Sequence, residues 1–129
     1  MRMRSTPLLV AIWCAAAAAM SACDAGERYR AAAEATGGDP ARGKAAIQTY
    51  GCDTCHVIPG VATARSLVGP PLNAMAARTY VAGVVVNTPE NMESWIQHPR
   101  VIDALTAMPD TGVTQVDARD ITAYLYTLR

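Results

Sequence analysis

Cys52-Asp53-Thr54-Cys55-His56 is the stretch that decides what this chain can be. Two intervening residues on a turn of helix set two sulfurs at a fixed spacing, and a histidine follows directly. Three chemistries use such a pair. Thioether bonds to the two vinyl groups of one porphyrin would leave His56 beneath the iron as its proximal ligand. A redox dithiol would need a strand before it and a βαβ pattern around it, whereas a helical stretch precedes Cys52 and no strand alternation follows. Structural zinc would need four ligands, and beyond Cys52, Cys55 and His56 the domain after the leader and its tether offers His98 alone. The residues therefore predict one covalently attached haem (heme c) on Cys52 and Cys55.

Outward from that motif the chain reads as all-α. Asp39-Pro40 is a helix start, with Asp as N-cap and Pro at the first helical position, and the helix runs on through Tyr50. Gly43, Ile47 and Tyr50 share one face. Thr114-Gln115-Val116-Asp117 resembles a capping box that opens a helix to about Leu128, with Ile121, Tyr124, Leu125 and Leu128 as its apolar stripe. Two terminal helices with matching stripes predict a crossed pair, and Gly43 is small enough to admit Tyr124 or its neighbours against its backbone. Between them Thr88-Pro89-Glu90 opens a short helix that ends before Pro99 and buries Met92, Trp95 and Ile96. Gly60, Gly69, Pro70, Pro71, Gly83, Pro99 and Pro109 break the rest into loops. A small domain with so much irregular backbone needs a non-protein core, and a haem supplies one.

At 129 residues the chain has room for one modest domain, and its first stretch reads as a leader. Arg2 and Arg4 precede an apolar run from Leu8 to Met20 that is too short to span a bilayer, which predicts a signal peptide over 1–22; an uncleaved anchor helix is the alternative. Cys14 leaves with that segment. Met20-Ser21-Ala22-Cys23 resembles the lipobox of bacterial lipoproteins, with Met20 where such boxes usually carry Leu. That resemblance implies an acylated Cys23, and Asp24 resembles the signal for retention in the inner membrane. The expected location is the periplasmic side of that membrane, and the alternative is a soluble periplasmic protein. Residues 23–38 then form a tether, which as flexible coil would span on the order of 20 Å, before a domain over 39–129. Loss of Arg2 and Arg4 leaves nine basic against eleven acidic residues, with no clustered basic face for nucleic acid.

From Asp39 to Arg129 the chain resembles class I cytochrome c. The resemblance rests on Gly43 and Tyr50 before Cys52-x-x-Cys55-His56, on Gly69-Pro70-Pro71-Leu72 after it, and on Trp95, Met108-Pro109 and Tyr124-Leu125 in family order. It implies three main helices plus short ones and loops around one haem. It also implies that the Pro70 carbonyl accepts from the ring N–H of His56, and that Trp95 packs near the porphyrin, ordinary core packing being its alternative. Met108, after the loop from Val101 to Ala107 and before Pro109-Asp110, corresponds to the distal methionine. Met75 sits too close to the motif, Met92 has a core explanation, and His98 ends a helix beside Pro99. Tyr80 and Asn87 lie where polar groups reach the propionates, where the family pattern is loose.

A His56/Met108 pair suits outer-sphere transfer of single electrons. The expectation is therefore an electron carrier rather than an enzyme, able to serve as a subunit of an oxidoreductase complex. Its donor would be a quinol-oxidising complex or dehydrogenase, and its acceptor a terminal oxidase or reductase. A fixed haem subunit of a larger oxidase or dehydrogenase is the alternative, and a haem enzyme or gas sensor would need an open sixth position.

Overall fold

Caps and prolines set where the helices start. In the computed structural model, which describes residues 24–129, α1 covers 24–36, α2 Pro40–Thr49, α3 Pro89–Gln97, α4 Pro99–Ile102 and α5 Gln115–Tyr126. The expected signal peptide at 1–22 and the expected lipidation site Cys23 lie outside the described residues. The Asp39 carboxylate accepts from the amides of Ala41 and Arg42 at 2.8 and 3.2 Å. Thr88 accepts from the Asn91 amide and Thr114 from that of Asp117, so α2, α3 and α5 each begin on a side-chain cap. The chain is mainly helical, as expected.

α2 and α5 cross at Gly43. A Cβ there would overlap the Asp120 carbonyl and lie 2.8 Å from the Ile121 amide nitrogen, so any side chain would force the helices apart. The crossing is also tied by charge. Asp120, buried on α5, takes both Arg42 Nε (2.7 Å) and Nη2 (3.1 Å), and accepts from the Asp39 amide at 2.7 Å. Arg42 stays largely solvated, so the pair itself adds little; its consequence is that a carboxylate in the core is never bare. At the far end of α2 the Tyr50 hydroxyl donates to Asp117 Oδ2 at 2.6 Å, which joins the C-terminus of one helix to the N-terminus of the other.

Ile47, Ile121, Tyr124 and Leu125 from this pair meet Met92, Trp95 and Ile96 of α3 in a single apolar core. Ile58, Val61, Ala64, Met75 and Val81 from the segments between α2 and α3 complete it. Strands β1 (Tyr80–Val81) and β2 (Val85–Val86), which the sequence does not announce, pair antiparallel. Their turn holds Ala82 and Gly83 at φ 51 and 78°, left-handed conformations that Gly83 alone adopts without strain.

The expected flexible coil over 24–38 is corrected. Residues 24–36 are helical and dock on α5, with the Tyr29 ring edge-on to Tyr124 at 6.5 Å and Ala32 and Thr36 buried. Its alanines and charges read as linker composition, yet they are also good helix formers, and the Tyr29–Tyr124 pair with the burial of Ala32 and Thr36 seats it. Among the described residues no helix is long and apolar enough to cross a membrane.

Candidate functional site

Gly51, at φ 71°, turns the chain sharply off the end of α2 into a 3₁₀ turn over Cys52–Thr54. The amides of Cys55 and His56 both donate to the Cys52 carbonyl, at 3.3 and 3.0 Å, and the Thr54 hydroxyl closes on the Gly51 carbonyl at 2.7 Å. Both cysteines are thereby wound onto one turn, as free thiols, with His56 at its exit. Cys52 leans on the apolar core, and burial pushes its thiol up to about 11, with the charges of Asp53 and Cys55 adding to the effect. A working redox dithiol needs a depressed thiol, so Cys52 is poorly placed for disulfide exchange.

The segment after the turn folds back over His56. The Gly69 amide donates to the Cys55 carbonyl at 2.7 Å and that of Leu72 to the Val57 carbonyl at 2.8 Å. Between these ties, His56 Nδ1 lies 2.7 Å from the Pro70 carbonyl oxygen. A carbonyl only accepts, so Nδ1 carries a proton, and in the neutral ring Nε2 is the nitrogen with a lone pair for a metal. Gly69 makes this possible, because a Cβ on it would stand 2.7 Å from Nδ1. The loop between is pinned by Tyr124, whose hydroxyl donates to the Pro59 carbonyl at 2.6 Å.

Cys52, Cys55, His56 and Pro70 are thus brought together. Trp95 is buried in the common core, and Met108 is half-buried against the same cluster that Cys52 touches, although it arrives separately on the loop after α4. Met75 and Met92 are buried core residues. His98 is exposed and pairs with Asp110 at 3.5 Å. Leu67 and Val68, before Gly69, are each 81 % exposed, and Val101 and Leu105, before Met108, are 85 % and 94 % exposed, so both loops present apolar side chains outward.

Asn87 is fully committed within the protein. Its amide donates to the Met75 and Arg78 carbonyls at 2.9 and 2.8 Å and its Oδ1 accepts from the Tyr126 hydroxyl at 3.0 Å. It is a strut rather than a group available to a propionate. Arg78, which the sequence reading passed over, donates to the carbonyls of Pro71 and Asn73. No motif marks such a residue, since its partners are backbone oxygens that any sequence supplies.

The Cys52 thiol yields a direct pH test. In the haem-free chain, alkylation of Cys52 by iodoacetamide should rise about tenfold per pH unit from pH 8 to 10 and reach half its limit near 11, because only the thiolate reacts. Mass spectrometry of the labelled peptide that showed a plateau by pH 9 would contradict the burial argument.

No protein-family model and no solved structure matches the chain. It is similar to cytochrome c oxidase subunit 2 of Alkalihalophilus pseudofirmus, with 30% identity over 91 residues, a match that covers 68% of this chain and 25% of that protein. The chain therefore spans about a quarter of the length of the curated relative it matches. The expectation of a carrier rather than an enzyme is corrected by this similarity, since the relative is named as a subunit of an oxidase, which is an enzyme.

Proposed function

We propose that residues 39–129 form a class I cytochrome c domain that holds one heme c on Cys52 and Cys55 and passes single electrons in a respiratory chain. The observation that carries this reading is the 2.7 Å contact between His56 Nδ1 and the Pro70 carbonyl, directly beyond two thiols wound on one turn. Heme c, when bound, would supply an iron that takes up and gives back one electron. Everything else falls to the chain. Cys52 and Cys55 would anchor the porphyrin edge, and Nε2 of His56 would be the proximal donor, its basicity raised by the bond at Nδ1. The Met108 thioether would be the distal donor, and Trp95 would pack beside the ring.

One further feature supports the fit. The outward apolar side chains of Leu67, Val68, Val101 and Leu105 flank the two loops that carry His56 and Met108, and suit a large apolar cofactor.

A second reading, a haem subunit fixed in a larger oxidase or dehydrogenase, is favoured by the likeness to an oxidase subunit. In either setting the partners are redox proteins, a quinol-oxidising complex or dehydrogenase as donor and a terminal oxidase or reductase as acceptor. Acylation of Cys23 would hold the domain on the periplasmic face of the inner membrane.

Three measurements test this. A haem stain after denaturing electrophoresis should mark the wild-type chain and not Cys52→Ala/Cys55→Ala; haem retained by the double mutant would refute the attachment. Met108→Ala should lower the reduction potential, because a soft donor that favours ferrous iron is lost, and should let carbon monoxide bind the reduced protein. Wild-type behaviour on both counts would remove Met108 from the iron. Labelled fatty acid should enter wild-type protein that sediments with membranes and should not enter Cys23→Ser, whereas soluble wild-type protein without label would end the lipoprotein reading.

A further inference from the structure

Pro70 and Pro71 have no backbone N–H, so the amides of Gly69 and Leu72 fix the ends of this segment and nothing between them can donate. The middle is held by what its two carbonyls accept. Pro70 accepts from His56 Nδ1, and Pro71 accepts from Arg78 Nη2 at 2.6 Å. The two peptide planes meet at the Pro71 Cα. There φ is locked by the ring, and ψ is the single soft torsion between them. The Pro71 carbonyl and the Leu72 N–H share one peptide plane, so Arg78 on the carbonyl and Val57 on the amide together hold that plane from its two sides, and with it the aim of the Pro70 carbonyl at His56.

Arg78 is itself held from α5. Its Nη2 also donates to the Asn73 carbonyl at 2.9 Å, and its own carbonyl accepts from Asn87 Nδ2 at 2.8 Å. Asn87 in turn accepts from the Tyr126 hydroxyl on α5 at 3.0 Å, and the adjoining Ala76 amide donates to the Leu128 carbonyl at 3.0 Å. A path of hydrogen bonds thus runs from the C-terminal helix through Asn87 and Arg78 to the Pro71 carbonyl, one peptide from the acceptor of the histidine proton.

We propose that Arg78 is a positioning residue for His56, acting through the Pro71 carbonyl and secured to α5 by Asn87 and Tyr126. The proposal rests on the haem reading only for its effect on a potential. The bond from Nδ1 exists in the chain itself, so its test does not need iron.

The test is hydrogen exchange of the His56 Nδ1–H, followed by NMR on the full chain as isolated, with or without haem. In Arg78→Met and in Arg78→Lys that exchange should quicken by about tenfold while the amides of α2 and α5 keep their wild-type rates. Asn87→Asp, which loses both donors, should move the same proton in the same direction. In the haem-loaded protein Arg78→Lys, which keeps the charge, should raise the potential, because a looser Nδ1 bond makes His56 a weaker donor to ferric iron. Equal acceleration of the helix amides would reduce Arg78 to a stabilising residue and overturn the proposal. Unchanged Nδ1–H exchange would overturn it as well, and a potential that fell in Arg78→Met on that background would leave Arg78 an electrostatic role only. Failure of the haem stain is a separate result and refutes the function, not the path.

Discussion

The close crossing of α2 and α5 at Gly43 is the constraint on which the rest of the molecule depends. It brings backbone to backbone, so Ile47, Ile121, Tyr124 and Leu125 can seal one core without a side chain at the crossing point. Everything near the site is then hung from those two helices. α2 ends at Gly51 and delivers the Cys52–His56 turn, while α5 reaches the loops through hydroxyls, Tyr124 to Pro59 and Tyr126 to Asn87. A helix pair buried at one point and hydrogen-bonded at its ends is a way to position irregular chain that has little secondary structure of its own.

The same geometry shows why some of the molecule could be read from residues alone. Helices announce themselves through local rules: Asp39-Pro40, Thr88-Pro89 and Thr114 each cap the helix that follows, and Gly43 marks a close approach on a periodic apolar face. The Pro70 to His56 contact came from family resemblance rather than from any local rule, and the structure places those atoms at 2.7 Å. Long-range backbone acceptors leave no local trace. Arg78 is an ordinary cation in sequence, and Asn87 an ordinary polar loop residue, because their partners are carbonyls brought near by the fold.

Residues 24–38 show the opposite failure. Alanine, glycine and mixed charge describe a linker and a helix equally well, and the choice is made by a few tertiary contacts that sequence does not reveal. Tyr29 against Tyr124, with Ala32 and Thr36 beneath, makes the decision for the helix. The consequence is mechanical. Thirteen helical residues reach about 20 Å, as far as the coil would on average, but a docked helix fixes where its first residue sits relative to the core, whereas a coil would let the domain roam.

The two loops that carry the proposed ligands are held unequally. Residues 52–72 are bound by backbone pairs at Cys55–Gly69 and Val57–Leu72, by the His56–Pro70 contact and by Arg78, most of them short. The stretch around Met108 has weaker ties. Its amide donates to Thr106 at 3.2 Å and Asp110 caps the Gly112 amide at 2.9 Å; back to the end of α3 run Gln97 Nε2 to the Val113 carbonyl at 3.2 Å and His98 to Asp110 at 3.5 Å, the second a solvated pair that adds little to stability. Asp110 is held below the usual carboxylate range by the Gly112 amide first and by His98 after it, so this loop keeps its cap at neutral pH and loses it as acid protonates the carboxylate. Before the Cys52–His56 turn the Tyr50 hydroxyl at the end of α2 rests on Asp117, and that bond first, with Thr114 after it, holds this carboxyl below the usual range as well. Acid therefore weakens a carboxylate support on each side of the site, Asp110 beside the Met108 loop and Asp117 beneath the start of the Cys52–His56 turn, while the backbone ties of Gly69 and Leu72 contain no titrating group.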